Sequence, residues 1–293
     1  MFIVINTPNG NVGRVVAEKL LGAGEYVALL TRDRRRVSDF ARRGATIFEG
    51  DLLDWNFLSE ATRGCERLLW ATPQAYDQPD LLEFQTRLGH NLARAVRENE
   101  ISWVLNISSI GAQHPTGTGV IQGLREVEQA LDDSPANVLH LRASYFMENF
   151  LHSLRSVRED DAIQLPIAGS VATSMIATGD VATLAANLLC EPDWVGHSVR
   201  EVVGPRRRSF DDVARVFSEV LGREIRHVEV PDERAKMGML RRGWSERSAE
   251  LIIAMYQALA EDLLTPVDTP LIAPTTLRCF VRTRVLSRQE AGA

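Results

Sequence analysis

The first half of this chain alternates short, continuously apolar runs with stretches that carry one apolar stripe at helical spacing. That alternation restricts the fold more than any other feature. Phe2-Ile3-Val4-Ile5 reads as a strand apolar on both faces. Residues 10–24 follow as a helix with Val12, Val15, Val16, Leu20 and Leu21 on one side. Further strands are expected over 26–30, 45–48, 67–70, 101–107 and 137–141. Helices over 34–43, 55–62 and 80–98, and another marked by Val120, Leu124, Val127 and Leu131, separate them. Strands apolar on both faces need cover on both, and right-handed crossovers lay helices on the two sides of a parallel sheet. The expected fold class is α/β, a doubly wound parallel sheet. Ligands of such sheets lie beyond the carboxyl ends of the strands, where the strand order reverses.

The second half is less regular, with helices expected over 180–189, 210–221 and 246–264 and strands over 198–203 and 225–230. The expected division is a dinucleotide-binding Rossmann domain over 1–150, with 176–204 returning to it. Residues 151–175 and 205–293 would form a smaller α/β lobe over the ligand edge. A chain of 293 residues, 45% hydrophobic, buries enough surface to fold without staples. Cys65, Cys190 and Cys279 stand far apart, so neither a disulfide framework nor a metal site is expected, and the cytoplasm is the expected compartment. The net charge of −6 comes without a long basic tract, which argues against nucleic acid as a partner. No stretch reads as a targeting segment or is long and apolar enough to suggest a membrane partner.

The turn after the first strand carries the clearest chemistry. Thr7-Pro8-Asn9-Gly10-Asn11-Val12-Gly13 opens the first helix. Backbone N–H groups at such a helix start attract a pyrophosphate; Gly10 allows close approach of the phosphates and Gly13 allows the helix to pack on the strand. Strand two ends in Thr31-Arg32-Asp33. An arginine there suits the 2′-phosphate of NADP(H), where an acidic residue would favour the ribose hydroxyls of NAD.

These segments resemble the NmrA-like branch of the atypical short-chain dehydrogenases, the branch of quinone oxidoreductases and triphenylmethane reductases. The turn matches the family's from Gly10 to Gly13, with Thr7 where the first glycine belongs. Arg142-Ala143-Ser144-Tyr145-Phe146-Met147-Glu148-Asn149-Phe150 resembles its Leu-Arg-Pro…Phe-Met-Glu-Asn-Phe signature, with Ala143 for proline. The resemblance implies that Thr7, Asn9, Gly10, Asn11, Val12, Gly13 and Arg32 hold NADP(H) together with Asp51 and Leu52 near the adenine. It further implies Ala71, Thr72, Pro73, Ser108 and Ala143 around the nicotinamide half. Ser109 matches the superfamily's active-site serine. The tyrosine and lysine that normally follow are missing, and Val120 and Leu124 stand one helical turn apart on the buried face. That absence removes the usual proton donor for a simple ketone. A quinone, a polycyclic aromatic or a cationic dye, whose conjugation absorbs the charge, needs no simultaneous protonation. His114 and Tyr145 are the candidate alternative acids. Tyr145, Phe146, Met147, Phe150 and Trp244 are the candidate walls for a flat apolar substrate.

The expected function is an NADPH-dependent reductase of a conjugated small molecule. An NADP-sensing regulator without turnover and a non-redox cyclase or lyase remain open, as does a homodimer. An enzyme of secondary metabolism would fit the reductase or the cyclase.

Overall fold

The structure is a computed structural model that describes residues 2–286. In chain order the first half runs β1 (Phe2–Ile5), α1 (Asn11–Gly22), β2 (Tyr26–Thr31), α2 (Ser38–Arg42), β3 (Thr46–Glu49), α3 (Trp55–Ala61), β4 (Arg67–Ala71), α4 (Leu81–Glu98), β5 (Trp103–Ser109), α5 (Ile121–Asp132) and β6 (Asn137–Ala143). The second half runs β7 (Tyr145–Phe146), α6 (Leu154–Glu159), β8 (Ala162–Leu165), β9 (Ala172–Ile176), α7 (Thr178–Cys190), β10 (His197–Val203), β11 (Arg207–Ser209), α8 (Phe210–Leu221), β12 (Arg226–Glu229), α9 (Asp232–Leu240), α10 (Glu246–Ala260), β13 (Leu271–Ile272) and α11 (Leu277–Phe280).

Eight parallel strands form the main sheet in the order β13-β10-β6-β5-β4-β1-β2-β3. The order reverses between β1 and β4. That switch point is where a doubly wound sheet opens a crevice. Burial follows from the two-faced strands. In β1, Ile3 and Ile5 enter the core shared with α1 and α7, while Val4 enters the core shared with α3, α4 and α5. Each strand therefore drives packing on both sides of the sheet, as apolar burial at roughly 25 cal/mol per Å² requires.

The remaining strands form two small sheets, β11-β9-β7 and β12-β8. A third core fills the space between them and the helices α8 and α10, with Phe150, Phe210 and Phe217 at its centre. Phe150 meets Phe210 and Phe217 edge-on, with ring centroids 6.2 and 6.1 Å apart.

Within 176–204, β10 pairs with β6 in the main sheet and α7 packs against α1. One difference lies further on: β13, expected in the small lobe, pairs with β10 at the sheet edge. Five short strands, β7, β8, β9, β11 and β13, and the helices α6, α9 and α11 carry too few residues or too little periodicity to be read beforehand. Among the described residues no helix is long and apolar enough to cross a membrane.

Candidate functional site

The switch point is braced by a buried amide. Asn6, the residue after β1, is wholly buried. Its Nδ2 donates to the Ala71 carbonyl at 3.0 Å and its Oδ1 accepts from the Ala71 N–H at 2.7 Å. Both polar ends of the side chain are satisfied, and the ends of β1 and β4 are locked in register. From this brace the chain enters the glycine turn. Thr7 takes φ 48°, the left-handed region that a β-branched residue rarely adopts. Threonine thus follows the backbone path that a glycine would take, and Gly10 N–H closes the turn on the Thr7 carbonyl at 2.9 Å. A Cβ on Gly13 would stand 2.5 Å from that same carbonyl, so glycine is required there.

Helix α1 starts at Gly10 with no side-chain cap and no acidic residue in its first turn. Its first N–H groups have no intrahelical acceptor, which leaves them available to an anion. At the end of β2, Asp33 lines the cleft with its charge already paired: Arg35 grips both its carboxylate oxygens at 2.9 and 3.0 Å. That grip holds the Asp33 carboxyl below its usual range. Arg32 and Arg36 both line the cleft and are exposed. Two guanidinium groups therefore face the position where a ribose phosphate would sit, and the nearby carboxylate is already paired. These features fit a phosphorylated dinucleotide.

The cleft continues without a break into a cavity of ≈ 1270 Å³ that reaches β7, α9 and α10. A single small-molecule pocket is commonly no larger than about 1,000 Å³, so this space accommodates a dinucleotide and a second ligand. All fourteen residues expected to hold the cofactor, from Thr7 to Ala143, line it. Ser109 lines it as well, but its hydroxyl donates to the Ile110 carbonyl at 3.0 Å. The neighbouring Ser108 Oγ and the Ser144 Oγ are instead buried in the wall without a hydrogen-bond partner among the described residues. Buried hydroxyls without partners are rare in native structures, and here they suit a polar ligand.

Tyr145 reaches the cavity from β7, and its hydroxyl lies 3.1 Å from that of Tyr256 on α10. Burial, then the Tyr256 hydroxyl, raise the Tyr145 hydroxyl well above the ordinary tyrosine range. Burial raises Tyr256 too. Both remain protonated donors at neutral pH. Tyr76 stacks on Trp244 with centroids 3.9 Å apart and planes 13° from parallel, and burial pushes its hydroxyl up to about 12. Three of the chain's four tyrosines thus meet at one cavity. Val120 and Leu124 line it where an acid and a base would be needed for ketone chemistry.

Three expected site residues stand elsewhere. His114 lies outside the cavity wall, with its Nε2 at 3.0 Å from the Leu263 carbonyl. It fastens the loop after β5 to the loop after α10. Phe150 is fully buried in the lobe core and Met147 is 2% exposed, and neither lines this cavity; Met147 borders a separate, smaller pocket. Phe146 and Trp244 do line the cavity. Much of the family signature has a structural task. Glu148 accepts from the Thr178 N–H at 3.0 Å and the Thr178 hydroxyl at 2.6 Å, at the start of α7. Arg142 pairs with Glu128 at 2.6 Å. Asn6, Arg36, Tyr76, Ser144 and Tyr256 were not singled out from the sequence. The rarity of tyrosine was the one signal that could have pointed to Tyr76 and Tyr256.

Residues 2–271 match the model of the NmrA-like family. An NAD(P)H azoreductase from Xenophilus azovorans is 26% identical over 282 residues, 95% of either chain. The triphenylmethane reductase of a Citrobacter species, solved with NADP(H), superposes with a TM-score of 0.82 at 22% identity, over 97% of this chain and 100% of that one. The Escherichia coli quinone oxidoreductase QOR2, solved with NADPH, gives 0.82 at 19% identity over 99% and 100%. The chain belongs to the NmrA-like family.

Proposed function

We propose that the protein is an NADPH-dependent reductase of a quinone or another conjugated aromatic acceptor. The observation that carries this reading is the continuous cavity, which joins an uncapped helix start and two arginines at one end to a wall of tyrosines at the other. In this reading residues 2–150 and 176–204 hold the cofactor, and 151–175 with 205–286 hold the acceptor together with Tyr76 and Tyr145. The named relatives and neighbours, which are a reductase of azo compounds, one of triphenylmethane dyes and a quinone oxidoreductase, support it.

The chain's own groups divide the work. The first N–H groups of α1 hold the diphosphate, and Arg32 with Arg36 holds the 2′-phosphate. Ser108, Ser144 and the Ala71–Pro73 loop border the nicotinamide half. When bound, NADPH supplies a hydride. A quinone that takes up this hydride, hydrogen and electron pair together, becomes a hydroquinone monoanion, with its charge spread over ring and oxygens. One hydroxyl of the Tyr145–Tyr256 pair donates to the other, and the remaining proton then donates a hydrogen bond toward the developing oxyanion, a preorganised electrostatic contribution. Their raised pKa values make them donors of hydrogen bonds and not of protons, so water supplies the last proton. Val120 and Leu124 add apolar surface to the cavity wall and no proton donor.

Stopped-flow mixing of enzyme, NADPH and a panel of quinones tests this. Saturable oxidation of NADPH is expected. Tight NADPH binding with no oxidation by any conjugated acceptor would sink the reductase and favour a nucleotide sensor, the reading that the aliphatic pair on α5 would then support.

A further inference from the structure

The acceptor end of the cavity has a charged lip as well as aromatic walls. Helix α9 ends at Leu240, and the next two residues, Arg241 and Arg242, are tied back by their amides to the Met237 and Met239 carbonyls at 3.1 and 2.9 Å. Gly243, at φ 86°, then turns the chain. The Trp244 amide bonds to the Met239 carbonyl at 3.3 Å, and the Ser245 amide to the Tyr76 carbonyl at 2.8 Å. The turn is thereby fixed to the loop after β4, with Trp244 flat against Tyr76. Two arginines are held beside a rigid aromatic wall.

Arg234, Arg241 and Arg242 line the cavity and are exposed at its rim. None of the three has an acidic partner among the described residues. The acids on their side, Asp232, Glu233, Glu246 and Glu250, do not line the cavity. Lys236 binds Glu246 and Glu250 at 2.9 Å each, and Asp232 accepts from Gln257 at 3.0 Å. Elsewhere on the cavity lining, Glu159 pairs with Arg155 at 2.9 Å and Asp160 accepts from Gln164 at 3.2 Å. Opposite the arginines, His152 also lines the cavity; burial first, then the charge of Arg242, hold its imidazole below the usual range. The field of Arg242 therefore reaches into the cavity, where the carboxylates of Glu159 and Asp160 offset only part of the positive charge of Arg155, Arg234, Arg241 and Arg242.

We propose that this lip selects aromatic acceptors carrying an anionic substituent, a sulfonate or a carboxylate, which Arg241 and Arg242 bind while the ring lies against Trp244 and Tyr76. Guanidinium is planar and weakly hydrated, and it pairs with such oxyanions through two parallel hydrogen bonds. The same charges repel a cationic dye, so that class of acceptor is selected against. The proposal rests on the reductase reading for the fate of the ligand, not for its binding.

Binding and turnover are tested separately. In protein holding NADPH, titration calorimetry compares naphthalene-2-sulfonate, naphthalene-2-carboxylate and neutral 2-naphthol. The anions are expected to bind about tenfold tighter than the naphthol, the size that two partly exposed ion pairs supply. The advantage should shrink as salt rises and vanish in the Arg241→Glu, Arg242→Glu double variant. The difference between sulfonate and carboxylate tells which oxyanion the lip prefers. In turnover, the ratio of kcat/KM for 1,2-naphthoquinone-4-sulfonate over 1,2-naphthoquinone should fall about tenfold in that variant. Equal binding of anionic and neutral ligands, or a preference that survives charge reversal, overturns the proposal. An anion preference without turnover of either quinone upholds it while removing the reductase reading; turnover of both without preference does the reverse.

Discussion

The glycine turn and the start of helix α5 both face the cleft, both depart from the family's pattern, and the two departures have opposite consequences. At the turn, the task belongs to backbone N–H groups. Thr7 replaces a glycine, yet at φ 48° it traces the same path, and the amides of α1 remain uncapped. At α5 the task would belong to side chains. The helix is in place, but Val120 and Leu124 can neither give nor take a proton. A site made of backbone tolerates a change of side chain at the cost of some strain. A site made of side chains loses its chemistry with them, and in the proposed reading the hydroxyls come instead from Tyr145 and Tyr256.

The comparison can be broken first at Phe150, which the signature offers as a substrate wall and the structure places in the core. Phe150→Ala should cost about 3–5 kcal/mol of stability, because a fully buried ring leaves a cavity between Phe210 and Phe217. Urea unfolding followed by tryptophan fluorescence measures it. A loss near zero would show that the ring faces a ligand space after all.

Arg32→Glu probes the cofactor end. A repulsive charge would replace an attractive one at the 2′-phosphate, and charge-assisted bonds of this kind contribute about 1.5–3 kcal/mol. NADPH affinity should fall roughly a hundredfold while NADH changes little. Fluorescence titration with both nucleotides reads the ratio. Equal losses would assign the 2′-phosphate to Arg36 or to neither.

Tyr256→Phe probes the acceptor end. It removes the hydroxyl 3.1 Å from that of Tyr145. One neutral hydrogen bond is worth about 1 kcal/mol, so kcat with a quinone should fall about fivefold, with a smaller change in KM. The pH dependence follows from the raised tyrosines. Folded Tyr145 keeps its proton past the ordinary value of about 10, at which the unfolded chain releases it. Stability from this group is therefore complete below about pH 10 and is lost as pH rises above it. Turnover should show no alkaline limb belonging to Tyr145 below about pH 10.

The same division explains what could be read in advance. The main sheet was legible because β1, β2, β4, β5 and β6 are apolar runs buried on both faces, and periodicity reports that directly. The glycine turn was legible because its requirement is local. The acceptor end is assembled from Tyr76, Tyr145, Trp244 and Tyr256, which lie far apart in sequence and on elements too short or irregular to announce themselves. Nor could spacing reveal that Asn6 would brace β4, that Ser109 would turn its hydroxyl to its own backbone, or that Phe150 would point inward from a segment whose neighbours Tyr145 and Phe146 face the cavity.

Thr7→Gly is the smallest and most direct test of the turn. A non-glycine residue in the left-handed region carries about 1–2 kcal/mol of strain, which the substitution releases. Glycine gains freedom in the unfolded chain, a cost of about 0.4–1 kcal/mol. The Thr7 hydroxyl lies 3.4 Å from the Ala71 carbonyl, too long to add much. The net change in stability should be a gain of about 1 kcal/mol or less. Cofactor affinity should rise a few fold, since the side chain borders the cleft while the amides keep their positions. A drop in NADPH affinity would show that the threonine hydroxyl itself contacts the diphosphate. The turn would then belong with α5, as a place where side chains and not the backbone set the chemistry.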